Sequence, residues 1–327
     1  MAPRKTANKV PAKRVRDTAA ERRSAKNSLA LRVGDVAAAQ RDGSLGEEYI
    51  KLAQAMILCT LPLSEQSDRQ ITRKARLGDG SWLTVTFTAA VPGVPIPFGA
   101  DRKLLAWMLD RAIRLNSPYI PWESASEYRR EMGLSIGGSG NKQLTHRFER
   151  LAGLVINIQR RAESEKQGTT YPIIEKSYLP TSITGKTIEA AGQQTLPELR
   201  DRFGFVLNQT LFDDIRKHNL ALPRQIWRDL RGSTQVLDIV FWLLFRCYAA
   251  KTATVIPWDA LSQQFSTDSN PWRVRSHARE AIKIVGTMWP DVRLGEVDVG
   301  IQVDYAPTPM LIDDLSKGRV RRLSTSD

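Results

Sequence analysis

The chain of 327 residues is poor in sulfur, in histidine and in long apolar runs, and each shortage excludes a class of protein. Two cysteines, Cys59 and Cys247, rule out a disulfide framework. Neither sits in a CxxC, and the three histidines, His146, His218 and His277, stand in no paired helical spacing. A Cys/His zinc site is therefore excluded, and no cofactor or metal is expected. The longest apolar run, Ile239 to Phe245, is far short of the roughly 20 residues needed to span a bilayer. The first residues lack the apolar core of a secretory signal. A soluble bacterial protein of the cytoplasm, with no membrane partner, is the expectation.

Catalytic constellations are missing as well. Gly185-Lys186-Thr187 ends like a phosphate-binding loop, but the required glycine five positions earlier is Pro180. Asp213-Asp214 and Asp313-Asp314 are adjacent pairs, not spaced as metal ligands on one face. His146 has no evident nucleophile or carboxylate partner for proton transfer. The chain is expected not to be an enzyme.

Acidic charge is scarce against basic: 35 Asp plus Glu face 48 Lys plus Arg, a net charge of +13. Residues 1–32 hold ten Lys/Arg and two acids, so they carry +8, and the other 295 residues share about +5. A polyanion would therefore be met through local faces rather than by a uniformly basic body. Residues 1–44 are too poor in large apolar side chains to offset ordering and are expected to be a disordered basic arm, with helical tendency confined to 18–31.

A globular body follows, since 42% of the residues are hydrophobic and eight are Trp. From Gly46, EEYIKLAQAMILCTL has helical periodicity, and ITRKARL and SWLTVTFTA alternate about Gly78-Asp79-Gly80 as a hairpin. LLAWMLDRAIRLNSPYIPWESASEYRREM (104–132) is echoed by IVFWLLFRCYAAKTATVIPWDALSQQF (239–265). Each copy has a helix with an internal Trp, then Ile-Pro-Trp and an acid, then a short helix. Trp107 precedes Ile120 by 13 positions and Trp242 precedes Ile256 by 14. After each comes a turn, a longer helix and a hairpin. Helix, strand, helix, turn, helix, hairpin is the order of a winged helix.

The expected fold class is α+β: two tandem winged-helix domains, each a helix-turn-helix with a β-hairpin, behind the disordered arm. The expected boundaries are 1–44 for the arm, 45–195 for the first domain with its linker, 196–306 for the second and 307–327 for a flexible tail. FGFVLNQ (203–209) and TLFDDIRK open the second domain. Helix 233–250 is apolar nearly all round and must meet a second surface, either the first domain or another copy of the chain.

The longer helix of each copy is a candidate recognition helix. In the second, Val274, Ala278, Ala281, Ile282 and Val285 form one apolar stripe. Trp272, Arg275, Ser276, Arg279 and Lys283 form a contiguous outer face, with Arg273 beside it. In the first, Leu144, Phe148 and Leu151 face inward while Lys142, His146 and Arg150 make an outward stripe flanked by Gln143. Arg and Lys suit guanine edges and phosphates, and Gln suits adenine. Arg160 and Arg161, at the end of the following strand, are candidates for phosphate contact, or simply solvated strand-end charges.

The stretches VPIPFGADRKLLAWMLDRAIR (94–114), SEYRREMGLS with GGSG (126–140), LPRQIWRDLRGS with QVLDIVFWLLFR (222–246), VIPWDALSQQF (255–265) and RVRSHAREAIKIV (273–285) resemble the plasmid-encoded replication initiators of the RepA class. The resemblance covers about 94–305 and implies a tandem winged-helix body. It implies a protein that binds repeated sites (iterons) at a plasmid origin, helps open the duplex and recruits the host initiator and helicase. It also implies monomers on the repeats and dimers that repress their own gene. Two other readings remain open at this point: a winged-helix transcriptional repressor without a replication role, and an RNA-associated scaffold working through the basic arm.

Overall fold

A computed structural model describes residues 18–41, 49–134, 139–178, 203–217, 219–230, 233–250, 252–265, 271–290 and 292–304. The protein is a mixed α+β structure, and among the described residues every sheet is antiparallel. Among the described residues no helix is long and apolar enough to cross a membrane.

The described residues begin with helix α1 (Thr18–Arg41), within the segment 1–44 where a disordered arm was expected. Val33, Val36 and Ala37 are buried against the rest of the protein. Leu29 packs at their edge, and these few apolar side chains suffice because they meet an existing apolar surface, so tertiary packing supplies what composition withholds. The expected helix after Gly46 also resolves differently, into strand β1 (Tyr49–Ala53) and the short helix α2 (Gln54–Leu58).

Strands β2 (Gln70–Arg76) and β3 (Trp82–Ala89) form the expected hairpin, turning through Gly80 at φ 84, a conformation glycine adopts without steric cost. Leu83, Val85, Phe87 and Ala89 alternate into the core. Helix α3 (Asp101–Leu115), strand β4 (Tyr119–Pro121), helix α4 (Ala125–Glu131) and helix α5 (Ser139–Ala152) follow, then the hairpin β5 (Leu154–Arg161) and β6 (Lys166–Pro172). Ser124 starts α4 by accepting the Glu127 amide at 3.0 Å. The β5–β6 hairpin does not pair with β4. It extends the earlier hairpin into a four-stranded sheet, β2-β3-β5-β6.

Strands β7 (Ile174–Tyr178) and β8 (Gly204–Leu207) complete a second sheet of order β4-β8-β7, and helix α6 (Gln209–Lys217) packs on α3. The segment expected to open the second domain therefore belongs to the first half. Phe205 seals that half's core, its ring 4.7 Å from Phe148 and 6.1 Å from Trp122.

The second half holds β9 (Asn219–Pro223), α7 (Arg224–Asp229), α8 (Thr234–Ala249), β10 (Thr254–Pro257), α9 (Trp258–Phe265), α10 (Pro271–Met288), β11 (Leu294–Val297) and β12 (Gly300–Val303). Here the hairpin does take the earlier strand, in the order β10-β12-β11. Helix α8 is buried nearly all round, on α10, α2, β9 and β12, so the first half of the same chain covers its second face.

The two halves share one core. Strand β1 pairs with β9 from Tyr49↔Pro223 to Ala53↔Asn219. Arg224 donates to the Tyr49 carbonyl at 2.9 Å and to the buried Asp110 at 2.7 Å. Arg102 pairs with Asp238, and Arg32 of α1 with Asp229 of α7 at 2.8 Å. Helix α1 also packs on α10.

The element order α3-β4-α4-α5-β5-β6 recurs as α8-β10-α9-α10-β11-β12. A side-chain motif recurs with it. The Trp107 indole N–H donates to Glu131 at 2.5 Å, and Arg111 lies over the Trp107 ring while donating to the same carboxylate at 2.9 Å. The Trp242 indole donates to Gln264 at 2.8 Å, and Arg246 lies over that ring while donating to the same amide oxygen at 3.1 Å.

Candidate nucleic-acid interface

Helix α10 carries the most open basic face among the candidates. Its apolar stripe falls as the periodicity predicts: Val274, Ala278, Ala281 and Val285 are fully buried, with Ile282 packed at the edge. Opposite them Trp272 stands 71% exposed, with Arg273, Ser276, Arg279 and Lys283 also exposed. Arg275 departs from that face. It is half-buried, its guanidinium 5.1 Å from the centroid of the Trp258 ring, with its Nε enclosed and unbonded.

The hairpin behind α10 is locked to it through charge. Arg279 makes a two-pronged bond to Glu296 of β11, Nε to Oε2 at 2.6 Å and the terminal nitrogen to Oε1 at 2.7 Å. That bond holds the Glu296 carboxyl below its usual pKa. At the hairpin's turn Val299 is 67% exposed. Sequence reasoning did not find Glu296, although an acid in the first strand of a hairpin behind a basic helix is a visible signal. On the inner side, His277 shares a hydrogen bond of 2.7 Å with Gln235, and burial lowers its pKa.

Helix α5 presents a weaker face. Leu144, Phe148 and Leu151 are buried as expected, and Gln143 and His146 are exposed. The side chain of Lys142 lies outside the described residues. Glu149 takes His146 at 3.0 Å. Arg150 does not belong to the outward stripe. It turns inward, its Nε 2.6 Å and a terminal nitrogen 2.9 Å from the carboxylate of Asp101, and lies 4.7 Å from the centroid of the Phe98 ring. Asp101 is 1% exposed at the start of α3, where its carboxylate also accepts the Phe98 amide at 3.0 Å. A buried carboxylate needs a cation, and Arg150, with Arg147 3.6 Å from it, supplies one.

Arg160 and Arg161 alternate to opposite faces of their strand. Arg160 is bound to Asp79 in the β2–β3 turn and reaches the Ser81 hydroxyl at 3.3 Å, yet stays 52% exposed. Arg161 is exposed and stands opposite Trp82 in the sheet. The Gly185-Lys186-Thr187 segment and the tail at 307–327 lie outside the described residues.

No protein-family model matches the chain, and no curated protein matches it in sequence. Among solved structures it is similar to the crystal structure of RctB domains 2-3 (RctB-155-483), with a TM-score of 0.48 and 9% identity over 76% of this chain and 94% of that one. It is likewise similar to the selenomethionine derivative of domain 2 and domain 3 of RctB, with a TM-score of 0.47 and 9% identity over 76% of this chain and 96% of that one.

Proposed function

We propose that the protein is a sequence-specific, duplex-DNA-binding initiator of plasmid replication of the RepA class, built as two tandem winged helices. The observation that carries the reading is the face of α10, where Trp272, Arg273, Ser276, Arg279 and Lys283 are exposed beside a hairpin latched to the helix by Glu296. A helix of this kind enters the major groove, with the hairpin lying toward the flanking backbone. In the first half Lys142, Gln143 and His146 are the contacts proposed on α5, and Arg161 the contact from its hairpin. Arg150 holds the fold instead. The sequence resemblance over about 94–305 supplies the origin repeats, the host initiator and helicase, and a repressing homodimer. The protein works in this reading without catalysis or cofactor.

Two helices on successive grooves, about one helical turn apart, read a site of roughly two turns. Contacts to about six to ten phosphates make affinity fall by three to five decades between 50 and 200 mM salt. A footprint on the DNA flanking the gene is the direct test. Arg273→Glu or Lys283→Glu weakens one half of it, and Lys142→Glu or Gln143→Ala weakens the other. Loss from the same half by both pairs overturns the tandem reading. A minimal plasmid with a stop codon in this gene fails to replicate. Continued replication removes the initiator role and leaves a repressor.

A further inference from the structure

A cavity of about 530 Å³ lies where the β2–β3 hairpin of the first half meets α8, α9 and β10 of the second. Its size falls within the roughly 300–1,000 Å³ of sites that hold small ligands. Trp82, 45% exposed, lines one side, and Val255 and Ile256 of β10 line another. Among the described residues the charged lining groups are Lys74, Arg76 and Arg246, with no carboxylate beside them.

Arg246 distinguishes this place from its counterpart in the first half. Arg111 is surrounded by Glu123, Glu127 and Glu131, with nitrogen–oxygen distances of 3.2, 2.9 and 2.9 Å. Arg246 has neutral partners: it donates to the Arg76 carbonyl at 2.6 Å and to Gln264 at 3.1 Å, and among the described residues it forms no ion pair. Its Nε is enclosed without a hydrogen-bond partner. A guanidinium offers five N–H donors, so these two bonds leave most of them open. Burial lowers its pKa to about 10, which still leaves it charged at neutral pH.

The sheet extends the site outward. Arg76 stands opposite Trp82, Trp82 opposite Arg161, and Arg161 opposite Lys166, so one row across four strands carries an indole among three cations. All four are exposed. Three strand spacings make the row about 14 Å long. The nearby Asp79 is engaged with Ser81 and Arg160.

We propose that this cavity binds a nucleotide unit, its base stacked on the Trp82 indole and its phosphate taken by Arg246, with Lys74 and Arg76 at the rim. The open indole and apolar wall call for a flat, partly apolar body, and cations that no carboxylate faces among the described residues call for an anion. A nucleotide joins both. It comes either as a free nucleoside phosphate or as an unpaired nucleotide in a strand, for which Arg161 and Lys166 continue the path. The site is independent of the duplex-binding face proposed on α10.

The test uses the full chain with two probes, ATP and a fluorescent oligothymidylate, followed by calorimetry and anisotropy. At least one binds, and Trp82→Ala, Lys74→Glu and Arg246→Gln each weaken it by about tenfold or more, while Lys283→Glu on α10 leaves it unchanged. Trp82 and Lys74 are exposed, so their variants report even if Arg246→Gln fails to fold. Displacement of the oligonucleotide by ATP, or binding of ATP alone, assigns the site to free nucleotide. Oligonucleotide binding that ATP does not displace assigns it to single strands. Binding of neither probe, binding that survives Trp82→Ala and Lys74→Glu, or binding lost with Lys283→Glu overturns the proposal.

Discussion

The guanidinium of Arg246 lies 5.2 Å from the centroid of the Trp242 ring, as that of Arg111 lies 5.6 Å from Trp107. One arrangement thus occurs twice with opposite electrostatic surroundings. Around Arg111, three carboxylates offset the burial of the cation, and the Glu127 carboxyl is itself raised by burial. Around Arg246 there are amide and carbonyl oxygens. Arg111→Met should therefore cost about 3 kcal/mol or more, because it strands carboxylates among one another. Arg246→Met should cost about 1 kcal/mol, the scale of ordinary hydrogen bonds. The Arg111 deficit should shrink from pH 7 to pH 4 as the Glu127 carboxyl, raised by burial, takes up a proton. Urea melts at the two pH values check this, and equal costs for the two variants would contradict it.

Arg150→Ala should act on stability rather than on DNA. It leaves the carboxylate of Asp101, 1% exposed, with Arg147 at 3.6 Å as its remaining ion-pair partner. Uncovering a buried charge costs about 3–5 kcal/mol. Urea unfolding should show that loss, while duplex affinity per folded molecule stays at the wild-type value. Weakened DNA binding without destabilisation would return Arg150 to the interface.

Glu296 places a negative charge beside the proposed duplex-binding face and occupies Arg279. Glu296→Gln should free Arg279 for a phosphate, raise affinity for nonspecific duplex several-fold at low salt and steepen the salt dependence by about one logarithmic unit per decade. Adding Arg279→Ala should cancel both effects. Anisotropy titrations across a salt series provide the measurement, and an unchanged slope for Glu296→Gln refutes it.

Asp79 is held at about 2 by the Ser81 hydroxyl and amide, with Arg160 adding to them. Its folded value lies below the unfolded one of about 3.9. The stability it contributes is therefore complete above pH 4 and disappears as pH falls toward 2. The difference in melting temperature between wild type and Asp79→Asn should be constant from pH 7 to pH 5 and close to zero near pH 2. A difference that persists at pH 2 would point to packing instead of charge.

Some of this was readable from residues alone. The inner stripe of α10, Val274 through Val285, follows from helical spacing, and the pairing of Trp107 with Trp242 follows from the duplicated Ile-Pro-Trp. Local periodicity carried both. What stayed hidden depended on distant partners. A wheel places Arg150 by its Cα, but a long guanidinium stem swings to an acid 49 positions away. The segment after Gly46 reads as helix until β9 pairs with it, and β8 joins the first half because Phe205 fits beside Trp122 and Phe148. Docking of α1 rests on Val33, Val36 and Ala37, with Leu29 at the edge and Arg32 paired to Asp229, too few to register in composition. The setting of Arg246 was invisible because distant partners define it: the Arg76 carbonyl and the Gln264 amide oxygen, with no ion pair among the described residues.

The pairing of Tyr49–Ala53 with Asn219–Pro223 has a consequence for biogenesis. As the polypeptide leaves the ribosome, the early strand must wait while some 170 further residues are synthesised before its mate emerges. Until then Ile50 and Leu52 offer an unsatisfied edge to any neighbour, and that interval is where chaperone dependence and self-association during expression should concentrate.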